Sequence, residues 1–238
     1  MTSRPFMVER VAIALVTASI ALTSLGASVD DIAARPIVAL ADFATSTGPA
    51  TRREIDAALE GLSAASIERT CNRTHLTALA TVRLRALELA LAAKDLPAVD
   101  MHRDRAGSLL RHQLQCSPGD ARAWLRLAKV GDQASNIPEV TRVRLSLSQL
   151  FAPAEGAIVA ERALFAASLA NRGSAELGPI VAKDLTALVF NAPIASVAKL
   201  YKVMQNPQQF QIRILIRGLS LDRRQEFKSA FKGVELDL

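Results

Sequence analysis

Ala106-Gly-Ser-Leu-Leu110-Arg-His-Gln-Leu-Gln-Cys116-Ser-Pro118-Gly-Asp120-Ala-Arg-Ala-Trp124-Leu-Arg-Leu127-Ala128 is the stretch on which the fold turns. Pro118 and Gly119 cannot carry a helix onward, and Asp120 offers a carboxylate to the free N–H groups of a new first turn. The run therefore reads as the end of one helix, a tight turn and the start of the next. The small residues Ala106 and Ala128 stand near the large residues Leu110, Trp124 and Leu127, a mixture that lets neighbouring helices interlock. The composition agrees. Half of the residues are hydrophobic but only 4% are aromatic, so the apolar content is mostly Ala, Leu and Val, and an all-α fold is expected.

Upstream, Arg52 to Leu62 has the pattern of a short amphipathic helix. Cys71-Asn72-Arg73-Thr74 leads into a longer one ending near Lys94, with Leu76, Ala80, Leu84, Leu87 and Leu91 on one stripe and Arg85 opposite. Asp95-Leu96-Pro97 is expected to break it, and the next helix to run from about Val99 to Cys116. Downstream, helices are expected from Asp120, from Pro138 to about Leu150, from Glu155 to Ala170, from Pro179 to Phe190 and from Pro193 to about Met204. Asn206-Pro207 opens another to Arg217, and Ser220 caps a last one closed by Gly233. Phe210, Ile212, Ile214 and Ile216 alternate like a strand, but no other strand-like run exists to pair with them, so that segment is read as helix. Asn72-Arg73-Thr74 matches a glycosylation sequon, a match too common to carry weight.

The punctuation repeats. Pro153 follows Pro118 at close to the ~34-residue period of helix-turn-helix solenoids, and Glu155 follows Pro153 as Asp120 follows Pro118. Over about residues 74–153 the chain resembles two degenerate tetratricopeptide repeats. Ala106 and Leu110 match the small and large packing positions of a second helix, and Trp124, Leu127 and Ala128 those of the following first helix. Gln113 stands where Ala is usual and Gly131 where a large residue is usual. The turns around Cys116 and Phe151, with Glu161-Arg162, are also similar to a group of alphaproteobacterial proteins that carry one N-terminal membrane segment and a tetratricopeptide-like exported domain. That resemblance implies a link to exopolysaccharide production and brings no catalytic residues with it.

The N-terminus points the same way. Val11 to Val29 contains no charge, follows Arg4 and Arg10, and as a helix would reach about 28 Å, close to the ~30 Å of a hydrocarbon core. Residues 1–29 are expected to be an anchor whose positive flank stays in the cytoplasm, leaving the rest of the chain in the periplasm. Ser24-Leu25-Gly26 and Gly26-Ala27-Ser28 have the small residues of a cleavage site, so a signal removed after export is the alternative. Residues 30–50 read as a linker containing about one helical turn, and 51–238 as the helical domain.

Few residues are spaced for chemistry. His75, His102 and His112 do not form a metal-ligand spacing, and no phosphate loop or nucleophile elbow is present, so no metal, cofactor or catalytic activity is expected. The charge balance, 29 Lys and Arg against 23 Asp and Glu, is locally uneven. Arg213, Arg217, Arg223, Arg224 and Lys228 form a basic C-terminal set that could meet an acidic polysaccharide or an anionic membrane surface. Nucleic acid is not expected, because the aromatic interleaving used to stack on bases is absent. Cys71 precedes the first long helix and Cys116 ends the second; antiparallel pairing would bring the two together, and a disulfide is expected in an exported protein. The function anticipated is that of a membrane-anchored scaffold binding another protein in a helical-repeat groove, with direct polyanion or membrane binding as the alternative.

Overall fold

The computed structural model describes residues 34–42, 51–60, 71–134 and 138–231. Positions 1–29, where the anchor or signal is expected, lie outside the described residues, as do Lys232, Gly233 and the acidic C-terminal end. Among the described residues every regular element is helical, and no helix is long and apolar enough to cross a membrane. The chain forms two compact units, residues 1–109 and 110–238.

In the first unit, residues 34–42 form α1, which buries Ala34, Ile37 and Ala41 along one face. Within the stretch expected as a linker with about one helical turn, residues 34–42 are a helix of more than two turns, because its apolar residues recur at helical spacing. Helix α2 (Arg52–Glu60) opens on a capping box: Thr51 donates from its backbone N and its hydroxyl to Glu54 Oε2 at 2.7 and 2.8 Å. It packs through Ile55 on α3 (Arg73–Ala92). Asn72, the sequon residue, caps α3 by accepting from Thr74 N and His75 N at 3.0 and 3.3 Å.

The buried face of α3 is broader than the expected stripe. Leu79, Val82, Arg83 and Ala86 are buried alongside Leu76, Ala80 and Leu87, whereas Leu91 is 40% exposed. α3 stops because Lys94 takes the left-handed conformation at φ 56°, with Asp95 N donating to Ala90 O in the six-residue closure typical of helix ends. Helix α4 (Leu96–Cys116) therefore begins earlier than expected. Pro97 sits in its first turn, where no N–H is needed, and Asp95 Oδ1 accepts from Ala98 N.

The second unit begins within α4 and continues with α5 (Ala121–Ala134), α6 (Pro138–Phe151), α7 (Gly156–Ala170), a 3-10 turn (Ala175–Leu177), α8 (Gly178–Asn191), α9 (Ile194–Val203), α10 (Asn206–Arg217) and α11 (Leu221–Ala230). The alternating run 210–216 is helical, as expected. α5 pairs with α6 and α7 with α8; first helix α5 also touches first helix α7, and second helix α6 touches second helix α8. Fully covered Ala128, Ala163 and Ala166 let these backbones approach closely, and Leu125, Leu145 and Leu185 fill the space between them. The C-terminal helices close the core with Ile212, Ile216 and Phe227, and the rings of Tyr201 and Phe231 meet edge to face at 5.1 Å.

Candidate functional site

The turn that organises the sequence is held by one buried carboxylate. Asp120 Oδ1 accepts from the backbone N of Arg122 and Ala123 at 3.1 and 3.0 Å, capping α5, while Oδ2 accepts from Gln113 Nε2 at 2.9 Å. Gln113 thereby anchors the cap from α4. Ala106, Leu110, Leu127 and Ala128 are all buried. Trp124, expected from its repeat position to be buried between adjacent helix pairs, is instead partly exposed, and its indole N–H donates to Pro118 O at 2.8 Å, while the neighbouring Leu125 occupies the covered position. An indole needs a partner for its N–H, and the turn carbonyl supplies one at the surface.

The stacked pairs share a polar staple that the sequence reading missed. Arg162 on α7, wholly buried, donates from Nε to Asp184 Oδ2 at 2.8 Å and from Nη2 to Asp184 Oδ1 at 2.7 Å. It also donates to Ser148 Oγ and to the carbonyl of Ala152 at the end of α6. Gln149 Nε2 donates to the same Asp184 at 2.8 Å and to Ile180 O. Three helices are thus joined around a paired and hydrogen-bonded charge, the condition under which a buried ion is tolerated.

The first helices α5 and α7 together carry a line of half-buried charges beside exposed Ala157, Leu164 and Ser168. Arg122, Arg126 and Lys129 recur along α5 at helical spacing, and Ala157, Glu161, Leu164 and Ser168 along α7. Lys129 pairs with Glu161 and lies over the Phe165 ring at 5.9 Å, and Arg122 reaches Glu155 at 4.0 Å. Burial pulls the Arg126 guanidinium below its ordinary value, with Glu161 opposing the shift.

Among the C-terminal basic residues, Arg223 pairs with Glu226 at 2.8 Å, donates to Ala192 O and lies over the Phe227 ring. Arg213 and Arg224 are half-buried, and Arg217 and Lys228 are exposed. Phe210, Ile214 and Leu221 on the same two helices are exposed as well.

In the first unit, α2 borders a shallow depression of about 530 Å³ lined by Arg52, Arg53, Asp56, Ala57 and Glu60. One of its two cations is answered: Arg52 bonds Asp95 at 3.0 Å and Asp56 at 3.7 Å. His102 is buried, and burial holds its imidazole below the usual range, opposed by Asp56 and reinforced by Arg83, Arg105 and Arg52. Neither Cys71 nor Cys116 is a free thiol: both are disulfide-bonded. Compared with protein-family models, with curated proteins and with solved structures, the chain matches none.

Proposed function

We propose that the protein is a membrane-anchored scaffold of the periplasm, linked to cell-envelope or exopolysaccharide production, whose helical domain is a short tetratricopeptide-like solenoid. The observation that carries this reading is the packing of like on like, α5 against α7 and α6 against α8, with two helix pairs at nearly the same interval in sequence. In such a stack the first helices line the groove that holds a partner's extended or helical segment. Together α5 and α7 carry charges of both signs beside exposed Leu164 and half-buried Phe165, the mixture of rim polarity and apolar anchor that a peptide segment uses. The disulfide supports an oxidising compartment.

A photo-crosslinking residue at Arg122, Leu164 or Ser168 in the intact membrane protein tests the reading. It should capture the same partner from each of these positions. Equal capture from Ser146 or Thr186, exposed on the second helices α6 and α8, would remove the groove assignment.

A further inference from the structure

Between Asp184 and Asp222 the chain contains no acidic residue, yet it holds Lys199, Lys202, Arg213 and Arg217. The same acid-free stretch leaves large apolar side chains in solvent: Phe190 is 52% exposed, Val203 66%, Phe210 57% and Ile214 49%, with Leu221 following at 67%. The coincidence is sharpest on α10. Ile212 and Ile216 point into the core, so positions 210, 213, 214 and 217 share the outward side by helical spacing. Phe210 and Ile214 therefore project beside Arg213 and Arg217. On α11, Leu221, Arg224 and Lys228 repeat the pattern on one flank, while Asp222 and Glu226 lie away from it.

We propose that the outward side of α10 docks on an anionic lipid surface, with Phe210 and Ile214 entering the boundary between headgroups and chains and Arg213 and Arg217 meeting lipid phosphates. Each part of the chemistry is needed. A soluble acidic polysaccharide would match the cations but offers no apolar counterpart for an exposed phenylalanine and isoleucine in adjacent turns. A second copy of the chain would match the apolar residues but would set cation against cation. An anionic bilayer supplies a negative plane directly above an apolar layer, which suits a helix side that carries arginines and large apolar residues together.

The test reads position 210 in the full chain, so that attachment through any other segment leaves the signal unmoved. Phe210→Trp places an indole on the face, and the unsubstituted chain, with Trp124 alone, gives the background. The protein is mixed with vesicles of phosphatidylcholine, alone or with phosphatidylglycerol, made with plain or brominated acyl chains. Brominated chains should quench the new indole in the anionic vesicles and not in the neutral ones. Adding R213Q and R217Q should lower the ratio of docked to undocked protein about fivefold for each arginine removed, whereas R213K with R217K should retain docking. Absence of quenching in anionic vesicles overturns the proposal, as does equal quenching in both lipids. It is overturned too if the indole emission shifts without lipid as protein concentration rises, or shifts equally on adding soluble alginate.

Discussion

Arg162 and Asp184 meet through two parallel hydrogen bonds, 2.8 and 2.7 Å long, at a point where neither side chain touches water. The pair joins α7 to α8, and Ser148 and Gln149 bring in α6. A buried pair of this kind is costly to form and more costly to halve. Asp184→Ala should destabilise the protein by about 3–5 kcal/mol in denaturant unfolding, because it strands the guanidinium. Arg162→Met combined with Asp184→Leu should recover most of that loss. A loss below about 1 kcal/mol for the single variant would mean that water reaches the site.

Asp120 holds both ends of its turn, so its removal should cost more than a cap alone. Asp120→Ala is expected to lose about 2 kcal/mol, roughly half from the α5 cap and half from the broken bond to Gln113. Asp120→Asn keeps a capping oxygen and should lose less. Equal losses in equilibrium unfolding would place the whole effect on the charge.

His102 makes a prediction for pH. Burial makes its imidazole harder to protonate in the fold than in the unfolded chain, which takes up a proton near pH ~6.5. Stability from this group is therefore complete above that value and is lost as pH falls through it. Unfolding measured at about pH 7.5 and about pH 5.5 should show a steeper loss for the parent than for His102→Gln. Parallel losses would show that the imidazole accepts a proton in the folded state.

The cysteines should yield no free thiol when the unreduced, denatured protein is titrated, since both are in disulfide linkage. The expected bond between Cys71 and Cys116 would close a loop of 46 residues counting both cysteines, so Cys71→Ser with Cys116→Ser should cost on the order of 4 kcal/mol. Two thiols per chain would contradict the bond.

Features set by neighbouring residues were legible in the sequence. Asp120 as a cap, Pro138 as a helix start and the helical state of 206–217 all follow from local chemistry. The break before α4 was misplaced because its determinant is a left-handed lysine, Lys94, rather than Pro97, which a first turn accommodates. The capping box Thr51-Arg52-Arg53-Glu54 was present as a signal and overlooked. Trp124 was assigned to the core by its matching position in a repeat, but indole polarity and the nearby Pro118 carbonyl decided otherwise. The Arg162–Asp184 pair was not legible, since nothing local to either residue announces a partner on another helix. The apolar face of α10 was hidden for a related reason: the same isoleucines and phenylalanine are divided by tertiary packing into covered and uncovered sets.

Gly131 lies opposite Arg144, whose Nη1 donates to Leu127 O at 3.1 Å across the α5–α6 pair, and a methyl group at Gly131 would meet that same nitrogen. Substituting alanine would gain roughly 1 kcal/mol of helix propensity and would push the guanidinium from its place. The glycine and arginine are therefore a lock and its key within one hairpin. The two positions can therefore change only together: a side chain at 131 evicts the guanidinium, and loss of the arginine leaves the space beside the glycine unfilled. One missing side chain ties α5 to α6.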